Sequence, residues 1–146
     1  MYGSLTPNYE LQNAEELLLQ IHPDRSTYWR DHAWMAALAM AVGMAILFFM
    51  GNPHVWTGAI GGLAAIAVRA FYVASDELKA RWDLTNQRLL GPQNRNVRLS
   101  EIKEIRSLGS ALQVVTQSGD KHLLKYLGDK PATRAAIERV QSGGRP

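Results

Sequence analysis

The chain has 146 residues, with 16 Lys and Arg against 13 Asp and Glu and a formal net charge of +3. It contains no cysteine, which excludes disulfides, thiolate metal sites and cysteine nucleophiles. Residues 33–74 form one largely apolar block, so the remainder of the chain is enough for a single small soluble domain.

Residues 1–32 are polar and net acidic, and we interpret them as an N-terminal arm. Residues 1–13 have no periodicity, which is typical of a segment that orders only against another surface. A short apolar run at 16–21 ends at His22-Pro23 and fits either a strand or a short helix, because periodicity cannot separate the two at this length. We expect no cleaved signal peptide, because the segment before the apolar block is long and acidic.

Residues 33–74 predict two membrane-spanning helices joined by a tight loop. The first arm, 33–50, has no ionisable residue, and as a helix it would extend roughly 27 Å, close to the hydrocarbon thickness of a bilayer. The second arm, 55–74, is almost as apolar. The loop 51–54 contains Gly, Asn and Pro, and we expect it at the far membrane surface because a lipid-embedded loop would leave backbone groups unpaired.

The distribution of charge predicts the orientation of this hairpin. The loop 51–54 carries no Lys or Arg, whereas five basic residues flank the open end: Arg25, Arg30, Arg69, Lys79 and Arg81. The positive-inside rule places that end in the cytoplasm. We therefore expect a multi-pass membrane protein with both termini in the cytoplasm.

Aromatic residues near the ends of the two arms are typical of membrane-interface belts. Arg69 lies about one turn inside the cytoplasmic end, from where its side chain can snorkel to the headgroups. The predicted interface residues are Trp29, Trp34, Trp56, Arg69, Tyr72 and Trp82.

Small residues on both arms predict close helix packing, since they let helices approach each other in lipid. The candidates are Gly43 on the first arm and Gly58, Gly61 and Gly62 on the second. Two interpretations remain open: the arms pack against each other, or they dock onto helices of another protein.

Residues 75–146 change to a period of two, which predicts a small antiparallel sheet. Asp129 is a plausible N-cap and Pro131 lies in the first turn of a C-terminal helix at about 130–141, which Gly143-Gly144 ends. The fold class is therefore a membrane α-helical hairpin plus a small α+β soluble domain at 75–146. The predicted turns that separate its strands are Asn86-Gln87, Gly91-Pro92, Leu108-Gly109 and Ser118-Gly119-Asp120.

Three segments of this domain carry a family resemblance: Trp82-Asp-Leu-Thr85-Asn-Gln-Arg88-Leu-Leu, Arg95-Asn-Val-Arg-Leu-Ser-Glu-Ile102 and Val114-Val-Thr116-Gln-Ser-Gly119. Their order and spacing resemble the bacterial pleckstrin-homology (PH)-like domain of small membrane proteins, formerly a domain of unknown function. In that family a Glu…His/Arg-Pro segment and a two-helix hairpin commonly come first, and residues 16–23 and 33–74 fit that arrangement. The resemblance implies a PH-like antiparallel sheet capped by a C-terminal helix, at the cytoplasmic face of a bacterial inner membrane.

The resemblance implies little chemistry, and two functions are compatible with it. One relative is an assembly factor for photosynthetic reaction-centre complexes, and eukaryotic PH domains bind phosphoinositides or proteins. Our leading hypothesis is a non-catalytic accessory or assembly subunit of a larger membrane protein complex, with bioenergetic, photosynthetic and respiratory complexes as candidates. The alternative is a tethered PH-like module that senses anionic lipid headgroups.

Basic residues of the domain are the candidates for a surface that faces lipid or a partner, since each charge near an anionic membrane contributes about 1 kcal/mol. These residues are Arg88, Arg95, Arg98, Lys121 and Lys125. The same charges are also compatible with a solvent-exposed surface that binds nothing and only contributes to the orientation of the protein in the membrane.

We expect neither catalysis, nor a metal, nor a cofactor. The four histidines fall in separate segments without the spacing of metal ligands, and no phosphate-binding, dinucleotide-binding or nucleophile-elbow motif occurs. Glu101 and Glu104 lie beside Lys103 and Arg106 and fit a solvated surface. Nucleic-acid binding is not expected, because the basic residues lack interleaved exposed aromatics.

Overall fold

The computed structural model describes residues 5–146, so the start of the predicted arm, residues 1–4, lies outside the described residues. The described chain divides into two compact units: a hairpin unit, Tyr28–Ser75, and a sheet unit formed by the residues on either side of it. The elements in chain order are β1 (Leu17–Ile21), α1 (Arg25–Phe49), α2 (Trp56–Lys79), β2 (Trp82–Thr85), β3 (Arg88–Gly91), β4 (Arg95–Arg98), a 3-10 helix (Leu99–Glu101), β5 (Ile102–Leu108), β6 (Ala111–Thr116), β7 (Lys121–Leu124) and α3 (Lys130–Gln141).

The two apolar arms are helices, and both are long and apolar enough to cross a membrane by length and composition. They are longer than the predicted arms 33–50 and 55–74. Helix α1 begins eight residues earlier, at Arg25, because the Asp24 carboxylate accepts a hydrogen bond from the Thr27 amide at 3.0 Å and caps the helix. Helix α2 continues five residues beyond the predicted end, to Lys79.

Helix α1 ends in a turn that requires a left-handed residue. Gly51 has a φ of +74°, its amide donates to the Phe48 carbonyl, and the Asn52 amide donates to the Leu47 carbonyl. This pair of bonds is the Schellman motif, in which glycine meets no steric penalty at positive φ. The chain then reverses within a few residues into α2.

The two helices of the hairpin unit touch through backbone at small residues. A Cβ atom on Gly43 would lie 2.3 Å from the Gly58 carbonyl oxygen, and one on Gly62 would lie 2.5 Å from the Ala39 carbonyl. Gly61 does not take part in this contact, because a Cβ there would meet nothing within 4 Å, so its predicted role in packing remains open only for a helix outside the hairpin. Of the two interpretations left open, the structure shows packing between the arms at Gly43, Gly58 and Gly62.

The sheet unit contains two antiparallel sheets and a C-terminal helix. One sheet has the order β1-β2-β3-β4 and the other β5-β6-β7, so the predicted single sheet is divided into two. The apolar run at 16–21 is strand β1, and it pairs with β2 with Ile21 opposite Trp82. Along the chain, the hairpin therefore lies between two strands that pair with each other. The predicted N-terminal arm contributes a strand to the domain and is not a separate segment.

Helix α3 confirms the predicted C-terminal helix and its N-cap. The Asp129 carboxylate accepts from the Ala132 amide at 3.0 Å, and Pro131 occupies the first turn. Ile137 and Val140 are buried on its inner face. They join a single core of the sheet unit whose strand residues are Ile21, Trp82, Leu84, Leu89, Val97, Ile102, Ile105, Leu112, Val114 and Leu124.

The prediction that Trp82 lies at a membrane interface is wrong. It is 5% exposed and belongs to the core of the sheet unit, because β2 directs its ring inward next to Ile21 and Leu84. A Cβ atom on Gly91 of the neighbouring strand would lie about 2.5 Å from the Trp82 ring. The indole therefore occupies the space that the missing side chain of Gly91 leaves free.

Candidate functional site

A buried ion pair joins the N-terminal segment to the sheet. Arg88 Nη2 lies 2.7 Å from Glu15 Oε1, Arg88 Nε donates to Glu15 Oε2 at 2.8 Å, and the Thr85 hydroxyl donates to the same oxygen. The Arg88 guanidinium beside Glu15 lowers the pKa of that carboxyl to about 2. The partner carboxylate in turn raises the pKa of Arg88, so both groups stay charged at neutral pH.

A second buried carboxylate, Asp83, is held in the same way. Arg81 donates to it through Nε at 2.8 Å and through Nη2 at 3.2 Å, and the Tyr9 hydroxyl donates to it at 3.0 Å. Burial raises the pKa of Tyr9, and the hydrogen bond to Asp83 adds to the effect. With these contacts residues 9–15 are bound to the first sheet.

Arg88 is therefore not a surface residue that faces lipid or a partner, as the sequence predicted. It is 6% exposed, and its charge is neutralised by Glu15. Sequence reasoning missed this pair because 73 positions separate its members and neither lies in a local motif. A bidentate pair of this kind positions the backbone rather than transferring protons, because the Glu15 pKa lies far below neutral.

A groove of about 520 Å³ opens in the sheet unit. This volume is in the range of sites that bind small molecules or the side chains of a peptide. Its charged members are Asp76, Glu77, Arg95 and Lys125. Its apolar and neutral walls include Ile21, Trp82, Pro92, Gln93, Leu123, Leu124 and Leu127.

The remaining predicted basic residues are exposed but do not form one patch. Arg95 and Lys125 line the groove, and Lys125 Nζ lies 3.4 Å from the Glu77 carboxylate. Lys121 is exposed at the start of β7. Arg98 lines a different cavity of about 410 Å³, beside Gln141 at the end of α3.

His122 of β7 packs against the aromatic core near the groove. Its ring centroid lies 6.2 Å from that of Trp82, in an edge-to-face arrangement. Burial lowers the pKa of His122, and the nearby positive charge of Arg95 lowers it further. The imidazole is therefore neutral at neutral pH.

The hairpin unit exposes most of the predicted interface residues. Trp34, Trp56 and Tyr72 are 73%, 60% and 82% exposed, and Arg69 is exposed as well. Trp29 is half-buried, with its ring centroid 5.4 Å from that of Phe71. At the same end of the hairpin the Tyr28 hydroxyl donates to the Ala70 carbonyl at 2.6 Å and joins the two helices.

Within residues 5–146, no three side chains of the types His, Asp and Glu come together as a group that could hold a metal ion. Comparison of the chain with protein-family models, with curated proteins and with solved structures finds no match.

Proposed function

We propose that this protein is a non-catalytic integral membrane subunit that accompanies or assembles a larger membrane protein complex. The two helices would span a bacterial inner membrane, with the sheet unit and both termini in the cytoplasm. The observation that carries the proposal is the insertion of the apolar hairpin between the paired strands β1 and β2.

The strand pairing supports the proposed topology independently of charge. Because β1 and β2 are hydrogen-bonded neighbours, the chain before α1 and the chain after α2 must lie on the same side of any membrane that the hairpin enters. Two membrane crossings return the chain to the side from which it started, whereas a single crossing does not. The basic residues at the open end of the hairpin then favour the cytoplasm.

The outer surface of the hairpin supports an accessory role. Contact between α1 and α2 uses Gly43, Gly58 and Gly62, which leaves another set of small residues exposed: Ala37, Ala41 and Ala45 on α1 and Gly61 and Ala65 on α2. Small residues outside an intramolecular contact let a further helix approach closely in lipid. We propose that helices of the larger complex use this surface.

The topology of the sheet unit supports assigning it to the PH-like fold that the sequence resembles. Four antiparallel strands are followed by three more and by a C-terminal helix that buries Ile137 and Val140. A fold does not select a function by itself, so the argument for a subunit depends on the hairpin.

Lipid sensing is the second candidate function. Arg95, Arg98 and Lys121 are exposed, and within the described chain none of them forms an ion pair. Such cations attract anionic headgroups, and a tether to the membrane would raise their effective concentration there.

Extraction of the tagged native protein in mild detergent, followed by a native gel and mass spectrometry, tests the proposal. We expect co-migration with one large complex at constant stoichiometry. Gly61→Leu should reduce the co-migrating fraction severalfold, because it alters the exposed small-residue surface without a clash inside the hairpin. Ile60→Leu, a conservative change at a neighbouring exposed position, is the matched control.

Migration of the wild-type protein as a lone small species would overturn the subunit proposal. Charge reversal separates the two candidate functions. Reversing Arg95, Arg98 and Lys121 together to Glu should abolish a response to anionic vesicles, because each charge near an anionic membrane contributes about 1 kcal/mol. The same variant should still co-migrate with the complex if these cations bind only lipid.

A further inference from the structure

The groove of the sheet unit is lined by the chain segments that lead into α1 and out of α2. His22 and Pro23 come shortly before the start of α1, and both line the groove. Asp76 and Glu77 lie in the last turn of α2, Ala80 follows that helix, and all three line the groove as well. The groove therefore includes the residues at which the chain enters and leaves the hairpin.

In the proposed topology these residues lie at the level of the lipid headgroups. Helix α2 has 24 residues and, at the usual rise of an α-helix, extends roughly 36 Å. The hydrocarbon core of a bilayer is only about 30 Å thick. The last turn of α2, which carries Asp76 and Glu77, would therefore lie outside the hydrocarbon and among the headgroups.

The charges of the groove are balanced, and two of them compensate each other. Lys125 Nζ lies 3.4 Å from the Glu77 carboxylate. Asp76 and Arg95 are exposed, and within residues 5–146 neither forms an ion pair. Arg95 donates a long hydrogen bond of 3.5 Å to the Gln93 side chain. The groove thus presents one carboxylate and one guanidinium that no opposite charge of the described chain neutralises.

Most other residues that line the groove are apolar. Ile21, Trp82, Leu124 and Leu127 line it and belong to the core of the sheet unit. The volume of about 520 Å³ is in the range of sites that enclose a small ligand. A ligand with both charged and apolar parts would cover this surface and reach Asp76 and Arg95 as well.

We infer that the groove binds the headgroup of a zwitterionic phospholipid. The phosphate pairs with Arg95, whose guanidinium matches phosphate oxygens, and the ammonium group pairs with the Asp76 carboxylate. The glycerol and the first methylene groups of the acyl chains cover the apolar residues. The inference rests on the proposed function in that the hairpin spans the membrane.

Other ligands leave part of the groove unmatched. An anionic lipid neutralises Arg95 but brings its charge near Asp76 without a cation, and a polypeptide segment of one charge sign likewise neutralises only one of the two groups. A free zwitterion without acyl chains leaves the apolar surface of the groove exposed to water. A zwitterionic phospholipid supplies both charges and the apolar part.

The test uses the full chain in micelles of a neutral detergent, titrated with dihexanoyl phosphatidylethanolamine. One control is dihexanoyl phosphatidylglycerol, which has the same acyl chains and a phosphate but no ammonium group. The other is glycerophosphoethanolamine, which has the headgroup but no acyl chains. NMR measures binding through the indole N–H of Trp82 and locates the ligand through Overhauser effects between the headgroup methylenes and this ring.

The ethanolamine lipid should saturate the site at a concentration at least about fivefold lower than either control requires, as expected for one additional exposed charge pair or for covered apolar surface. Overhauser effects should connect its headgroup to Trp82.

Two charge-removing variants assign the two parts of the headgroup. Asp76→Asn should abolish the preference for the ethanolamine lipid over the glycerol lipid. Arg95→Gln should weaken the binding of both lipids about fivefold, because both carry the phosphate. Glu101→Gln and Arg98→Gln are the matched controls, since both residues are exposed and neither lines the groove. They should leave both affinities unchanged.

Equal or tighter binding of the glycerol lipid to the wild-type protein would overturn the inference. So would equal saturation by glycerophosphoethanolamine, the absence of Overhauser effects to Trp82, or a loss of affinity in the control variants as large as in Asp76→Asn and Arg95→Gln. Failure of lipid binding with intact co-migration refutes the lipid site only. Selective lipid binding by a protein that migrates alone refutes the subunit proposal only.

Discussion

Buried charges in this protein are neutralised in pairs. Glu15 with Arg88 and Asp83 with Arg81 are each joined by two hydrogen bonds. The Glu15–Arg88 pair and the hydrogen bond from Tyr9 to Asp83 bind the N-terminal segment to the first sheet. Removing one member of such a pair leaves the other buried without compensation, which costs more than the pair itself contributes.

Glu15→Gln should therefore destabilise the sheet unit by about 3 kcal/mol at neutral pH. Because the hydrogen bonds from Arg88 lower the pKa of Glu15 to about 2 from 4.5, its contribution is complete above about pH 4.5 and is lost as the pH falls towards 2. Thermal unfolding in micelles between pH 2 and pH 7 measures both effects.

The control for this change is Glu16→Gln, at an exposed neighbouring position with only a long contact of 3.5 Å to Arg145. It should alter stability by less than about 0.5 kcal/mol. A Glu15→Gln protein that lost stability with acid as steeply as the wild type would contradict the assigned role of this carboxylate.

At the scale of elements, local signals predicted most of the secondary structure. The turn at Gly51, the N-cap at Asp129 and the period of two after residue 81 all depend on near neighbours in the chain. The faces through which α1 and α2 contact each other are not predicted by local signals, because they depend on the sequences of both helices. Gly61 and Gly62 are adjacent and identical in type, yet only Gly62 contacts α1.

Gly58→Leu should disrupt the hairpin, because its Cβ alone would lie 2.3 Å from the Gly43 carbonyl carbon and oxygen. Separating the helices should cost about 2 kcal/mol, as is usual for overpacking. Gly61→Leu, where the Cβ meets no atom within 4 Å, should leave the thermal unfolding of the hairpin in micelles nearly unchanged. Equal loss in both variants would contradict the packing described for α1 and α2.

At the scale of the whole molecule, the hairpin lies in the chain between the paired strands β1 and β2, so in the proposed membrane protein the topology and the folding of the sheet would depend on each other. The first sheet is complete only when residues 17–21 meet residues 82–85. A chain whose ends lay on opposite sides of a membrane could not form this pair, so the sheet selects an even number of crossings.

Cysteine labelling measures this sidedness directly, because the natural chain contains no cysteine. Single variants Gln12→Cys and Ser142→Cys should react with a membrane-impermeant maleimide only after the cytoplasmic side is opened. Asn52→Cys, in the turn between α1 and α2, should react from the outside of intact cells. Labelling of residues 12 and 142 from opposite sides would exclude the paired β1 and β2.

The sequence by itself determined the apolar hairpin, the antiparallel strands and the capped C-terminal helix, because periodicity, turn residues and caps act over a few positions. Tertiary structure decided where long-range partners lie. It directed Trp82 into the core rather than to a membrane interface and buried Arg88 against Glu15, and it left one edge of β7 unpaired beside a groove. A charged or aromatic residue has the same identity in the sequence whether it lies on the surface or in the core. Only contacts between segments that are distant in the chain decide which of the two positions it takes.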